Sequence, residues 1–393
     1  MPRKVRIIVF FVCLGCFSVV FSQEKTVNTH FFESEYLIGK IIPNEPGNFP
    51  KNGPQQIVAF NYGILKHDTS SWGRFYNFPE IGITALYGNA GNNRVFGHQI
   101  SLLPFVTFNV FNQSKATYKF RVGLGASYFS KRFDIEKNPS NIVISSRLSW
   151  DFRTTLYRNI IESNRFVLKF GVGFAHQSNS HTRIPNKGMN SLLFSVSGQF
   201  YNNENYTPPK RISNGNYTSK DKFVLFRQGV GFHEQSEIEG PKTNVTRPVY
   251  STTFGYGKIV NHHVKLSTGF TYRFYQHYYD HLTDSKIVGL SENPSLNASN
   301  FLIYFNGELF MHHVGLDFDL EINLYKPFFN HFHPSKDVVS TLRQLLSTRN
   351  GLNLYLFDTH SLPKNNFYIG AYVNTNLGRA DFMEFSVGML KKL

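Results

Sequence analysis

His176 and Ser178 stand two residues apart in the alternating stretch 166–178, and Asn190 opens the next one. Extended backbone repeats every two residues, so His176 and Ser178 project from the same side with Cα atoms roughly 6.5 to 7 Å apart. That spacing suits a base and a nucleophile. A serine hydroxyl attacks poorly until an imidazole removes its proton, and the imidazole needs a third group to hold its tautomer. Folding 166–178 and 190–201 as a hairpin brings Asn190 to the same outer face as His176 and Ser178. The bland alternative for a bare His-x-Ser is a strand end at a membrane interface that tolerates His, Ser and Asn.

The elements that must carry these residues are strands. In 166–178 the even face runs Phe166, Leu168, Phe170, Val172 and Phe174 before it reaches His176 and Ser178, while the odd face carries Val167, Lys169, Gly171, Gly173, Ala175 and Gln177. The same split recurs at 116–128, where Tyr118, Phe120, Val122 and Leu124 oppose Lys119, Arg121 and Gly123. At 314–324, Leu316, Phe318, Leu320 and Ile322 oppose Asp317, Asp319 and Glu321. A soluble sandwich alternates too. Three features favour lipid: these runs reach the roughly 9 to 11 residues that cross a bilayer at a tilt, Tyr and Phe crowd their ends, and the chain opens with an export signal.

That signal is residues 1–22: Arg3, Lys4 and Arg6 precede a mostly apolar run from Ile7 to Phe21, with a cleavage pattern before Gln23. Both cysteines, Cys13 and Cys16, lie inside it, so disulfides and Cys-ligated metals are excluded from the mature chain; Cys16 as a lipoprotein cysteine is the weaker variant. Removing Arg3, Lys4 and Arg6 takes the formal charge from +15 to +12. After residue 22 no apolar run is long enough for a membrane helix.

Fourteen strands are expected, near 55–65, 78–87, 97–110, 116–129, 142–157, 166–178, 190–201, 222–232, 247–257, 263–275, 301–311, 313–325, 366–376 and 381–390. Residues 23–54 read as an extended lead-in, 337–347 as a short amphipathic helix, and 55–393 as one antiparallel transmembrane barrel of about 12–14 strands, with no separate domain. In this count 166–178 is the sixth strand, which runs inward from a periplasmic N-terminus. Within one lumen, Lys119, Arg121, Arg147 and Arg153 would face Asp317, Asp319 and Glu321.

The motif around the dyad is longer than His-x-Ser. Ala175-His176-Gln177-Ser178-Asn179, followed by Pro185-Asn186-Lys187-Gly188-Met189-Asn190, resembles the active-site hairpin of the lipid A 3-O-deacylase family, also called acyloxyacyl hydrolases, which are outer-membrane barrel esterases. The segments 128–134, 138–142 and 379–385 are similar to the longer, Bacteroidetes-type form. The resemblance implies Ser178 as nucleophile, His176 as general base and Asn179 at the oxyanion hole, with Asn190 where the best-known members carry an acid. It implies lipid A, or lipopolysaccharide, as substrate in the outer membrane and no cofactor. An amide at 190 can still accept the imidazole N–H, but it stabilises an imidazolium less than a carboxylate does. His181, Arg183 and Lys187 form a basic cluster that could receive a lipid A phosphate, or be solvated loop charge.

Other signals carry less. His277-Tyr278-Tyr279-Asp280-His281 has helical ligand spacing in what reads as a strand end and loop, so no metal site is expected. Export and lipid-facing rings argue against nucleic acid as partner despite the basic balance. The competing reading is a catalytically silent barrel with a structural or pore role: a lumen packed shut favours the enzyme and a continuous channel favours the pore. A phospholipase would use the same dyad on a different ester.

Overall fold

A computed structural model describes residues 28–43, 49–66, 73, 75–113, 116–202, 220–234, 245–335, 337–377 and 379–393. The 1–22 export segment, including Cys13 and Cys16, lies outside the described residues.

The chain is all-β and antiparallel, but it closes twice. Eight strands, β1 (Asn28–Ile42), β2 (Gln55–Lys66), β3 (Glu80–Asn89), β4 (His98–Gln113), β5 (Ala116–Phe129), β6 (Leu148–Glu162), β7 (Phe166–Ser178) and β8 (Met189–Tyr201), form one barrel, closed by pairing of β1 with β8. Eight more, β9 (Lys220–Glu234), β10 (Thr246–Val260), β11 (Val264–Tyr275), β12 (Ser299–Met311), β13 (Val314–Tyr325), β14 (Leu346–Tyr355), β15 (Asn365–Asn376) and β16 (Arg379–Lys392), form a second, closed by β16 on β9. The single barrel of 12–14 strands over 55–393 is therefore corrected to two barrels of eight. The two strands missing from the sequence reading are β1 and β14.

Both were hidden by impure alternation. On β1 the outward face mixes Phe32, Tyr36, Ile38 and Ile42 with Ser34 and Lys40, while Phe31, Leu37 and Ile41 point inward beside Glu33 and Glu35. On β14, Thr348 and Asn350 interrupt the outer face, and the strand follows directly on an amphipathic helix, Val338–Leu345. The 23–54 stretch thus holds the strand that closes the first barrel rather than a lead-in, and 166–178 becomes the seventh strand.

Apolar side chains line the outside of both barrels: Phe170, Val172, Phe194 and Val196 on the first, and Phe254, Phe270, Phe305 and Phe318 on the second, are all exposed. Closure pairs every strand edge, which lipid demands because it offers backbone groups no hydrogen bonds. Among the described residues no helix is long and apolar enough to cross a membrane.

The interiors are packed with ion pairs. In the first barrel Glu33 accepts from Arg121 at 2.6 Å and pairs with Lys169 at 2.7 Å, and Lys119 pairs with Glu80. In the second, Arg349 lies 2.8 Å from Asp317 and 2.7 Å from Asp319, Arg273 binds Glu321, and Lys265 binds Glu308. The expected neutralisation is present, but within each lumen separately. Lys119 and Arg121 stand on β5 in the first barrel and Asp317, Asp319 and Glu321 on β13 in the second, Arg153 binds Asp151 of its own strand at 3.0 Å, and Arg147 is exposed ahead of β6, bonded to Tyr128.

Three helices, α1 (Gln276–Ser285), α2 (Pro294–Asn297) and α3 (Pro327–Phe332), cover one end of the second barrel with a cluster that includes Tyr275, Tyr278, Leu282, Phe328 and Phe382. Residues 277–281 are therefore helical, where the sequence reading expected strand end and loop. The amphipathic helix at 338–345 is α4; Asp337 caps it by accepting from the Ser340 N–H at 2.7 Å.

The barrels touch at both ends. At one end the β2–β3 connection meets the β10–β11 turn, where Tyr76 donates to the His263 carbonyl at 3.0 Å. At the other, the loop after β7 meets the ends of β9 and β10. The barrels stand side by side with β1 and β9 running in the same sense.

Candidate active site

β7 carries the alternation to its end, so His176 emerges half-buried on the outer face, in line with Phe170, Val172 and Phe174. Antiparallel register pairs His176 with Asn190 of β8 and with Phe152 of β6, and pairs Ser178 with Trp150. The hairpin expected from the sequence is formed, and His176 Nδ1 lies 2.6 Å from Asn190 Oδ1. An amide oxygen only accepts, so Nδ1 carries the proton of this bond and Nε2 faces away from Asn190.

Ser178 is 4% exposed, sealed by the loop that follows it. Its Oγ accepts from the Ser180 N–H at 3.1 Å and from Asn186 Nδ2 at 2.8 Å. Among the described residues no hydrogen bond joins Ser178 Oγ to the His176 ring. The Ser180 bond requires a sharp turn: Ser180 and His181 have φ of 52° and 56°, the left-handed region that costs non-glycine residues of order 1–3 kcal/mol. Gly188 returns the chain at φ 68°, and a Cβ there would sit 3.3 Å from both His176 Cε1 and the Gln177 carbonyl oxygen. A glycine is what lets this backbone pass so close to the imidazole.

The Asn179 side chain is engaged elsewhere. Its Nδ2 donates to Ser145 Oγ at 2.8 Å and to the Arg183 carbonyl at 2.7 Å, and its backbone N–H reaches Asn186 Oδ1 only at 3.4 Å. Both side-chain protons hold the loop together, which leaves the loosely bonded backbone N–H as this residue's remaining donor.

The basic cluster is also different from the expected one. Burial, with His233 and Arg379 adding to it, pushes the His181 pKa down to about 3, so the ring is neutral; it faces His233 of the second barrel at 5.9 Å. Arg183 and Lys187 are half-buried in the same loop. Two arginines that the sequence reading did not place in this cluster join them, Arg147 having been assigned to the lumen: partial burial and the neighbouring charges of Arg183 and Arg147 hold Arg132 below its ordinary pKa. Arg132 and Arg147 lie 51 and 36 positions before Arg183, and only the fold of the 130–147 loop over the barrel end brings them together.

Asn186 was also invisible as a Ser178 partner. It appeared in the quoted motif, but its contact depends on the loop conformation, which has no period to read.

Residues 61–199, from β2 to β8, match the family model described as Lipid A 3-O-deacylase (PagL). No curated relative matches the sequence. Among solved structures, the outer membrane enzyme PagL is similar at 18% identity over 42% of this chain and 97% of that chain, with a TM-score of 0.32. CdiB from Acinetobacter baumannii is 8% identical over 93% of this chain and 60% of that one, with a TM-score of 0.18. A TodX monoaromatic hydrocarbon channel mutant is 8% identical over 94% and 91%, also with a TM-score of 0.18.

Proposed function

We propose that this chain, whose first barrel matches the lipid A 3-O-deacylase family over residues 61–199, is an outer-membrane serine esterase that hydrolyses an ester-linked 3-O-acyl chain of lipid A. The observation that carries the reading is the placement of His176, Asn190 and Ser178 together at the end of β7, with the imidazole on the lipid-facing surface and its tautomer set by Asn190. A nucleophile there meets an ester near the headgroup without lifting the lipid from the bilayer.

In this mechanism Ser178 Oγ attacks the ester carbonyl as His176 Nε2 takes its proton. The Asn179 N–H and neighbouring loop amides receive the oxyanion, and His176 returns the proton to the leaving sugar hydroxyl. A water activated by the same imidazole then releases the hydroxy fatty acid. Asn190 holds the ring throughout. Arg132, Arg147 and Arg183 are placed to receive a lipid A phosphate. As the seventh strand, β7 runs in the direction of β1, so a first barrel that starts on the periplasmic side presents this site to the outer leaflet. The packed lumens support an enzyme over a pore.

Expression in a Gram-negative host tests the reading: lipid A mass spectra should lose one 3-hydroxyacyl chain with the wild type and keep it with Ser178→Ala. Unchanged lipid A with the wild type refutes it.

A further inference from the structure

We infer that the second barrel is a working part of the esterase, and that its Glu234 is a positioning residue for the nucleophile loop; this rests on the esterase reading above. Ser178 Oγ is held by Ser180 and Asn186, both in the loop 179–188. That loop has no regular structure of its own, and it is gripped from two sides. The first barrel holds Arg183 and the C-terminal end of the loop: Ser145 Oγ donates to the Arg183 carbonyl at 2.6 Å, and Lys187 and Gly188 donate to the carbonyls of Ile142 and Val143 at 3.2 and 3.3 Å.

The second barrel holds the residues on either side of that contact, His181 and Ile184. Glu234, the last residue of β9 and 1% exposed, accepts the Ile184 N–H on Oε2 at 2.8 Å, while its own N–H donates to the His181 carbonyl at 2.9 Å. Thr246 at the start of β10 adds a longer contact, 3.4 Å, to the Thr182 carbonyl. Glu234 thus brackets residues 181–184, between the strained turn that aims Ser180 at Ser178 and the Asn186 that holds it from the other side. A carboxylate accepting a backbone N–H away from water makes a strong, directional restraint. The second barrel also reaches the neighbour of the nucleophile: Trp150, paired with Ser178 across β6 and β7, has its Nε1 against Met383 Sδ of β16.

A serine must sit within a fraction of an ångström of its attack geometry, and about 1 Å of displacement can cost on the order of 100-fold in rate. Loosening 181–184 should therefore lower turnover without weakening lipid binding, whereas a bond that merely seals two barrels together would leave turnover alone.

The test uses purified full-length chain, lipid A in mixed micelles, and rates counted per folded molecule by heat-modifiable gel mobility. Glu234→Ala should lower kcat by about 10-fold or more with KM little changed, and Glu234→Gln, which keeps an acceptor oxygen for Ile184, should recover most of the loss. Glu234→Asp keeps the charge but withdraws the oxygen by one methylene; it too should lower kcat, and it carries the test if the alanine variant does not fold. A wild-type kcat in the alanine or aspartate variant, an effect confined to KM, or a glutamine variant as slow as the alanine one overturns the inference. A wild type no faster than Ser178→Ala removes the esterase reading itself, which is a separate result from an active wild type that Glu234→Ala matches.

Discussion

The Nδ1 of His176 lies 2.6 Å from Asn190 Oδ1, and the two residues are directly paired across β7 and β8. The amide orients the imidazole as a carboxylate would, but in the proposed mechanism it carries no charge to stabilise the imidazolium that attack would form. Asn190→Asp should therefore raise kcat for lipid A deacylation, by roughly 10-fold, and Asn190→Leu should lower it at least as far by freeing the ring. Initial rates of fatty-acid release from the two variants check this, and a slower Asn190→Asp would sink the assigned role.

Gly188 is a second point of constraint on the same ring. Gly188→Ala places a methyl 3.3 Å from His176 Cε1 at a φ of 68°. The expected cost is about 1 kcal/mol of stability from the left-handed backbone, together with a fall in activity of roughly 10-fold as the imidazole is pushed. Heat-unfolding midpoints and deacylation rates measured on the same preparation separate the two effects.

His181 sets a pH dependence. Its folded pKa is depressed, to about 3, so between pH 6.5 and 3 the unfolded chain binds the proton that the folded loop refuses. Stability from this group is present above about pH 6.5 and is lost as pH falls toward 3, at up to about 1.4 kcal/mol per unit. His181→Gln should flatten the decline in unfolding midpoint between pH 7 and pH 5. An equally steep decline in the variant would show that the ring is not its source.

The lumens predict the electrical behaviour. Glu33 binds both Arg121 and Lys169, and Arg349 binds both Asp317 and Asp319, so ion-paired side chains fill the inside of each barrel. Planar bilayers containing the full chain should show no steady conductance. Glu33→Gln leaves two buried cations short of a counter-charge and should cost about 3–5 kcal/mol, read as a lowered unfolding midpoint. Steady open-channel current from the wild type would favour a pore.

Where alternation is clean, period two was legible in the chain. Which face of β7 meets lipid, that His176 and Ser178 share that face, and that Asn190 stands across the hairpin all follow from alternation and a short connection, because the pleat is a local property of extended backbone. The tertiary structure alone decided where the sheet closes. Backbone hydrogen bonds between strands are alike for every pair, so nothing in β8 announces that it returns to β1 instead of passing to β9, and the impure faces of β1 and β14 concealed the two strands that make the count sixteen. It also decided what surrounds Ser178. Asn186, Arg132 and Glu234 reach the Ser178 loop through turns and barrel contacts set by long-range packing, which leaves no periodic trace in the chain.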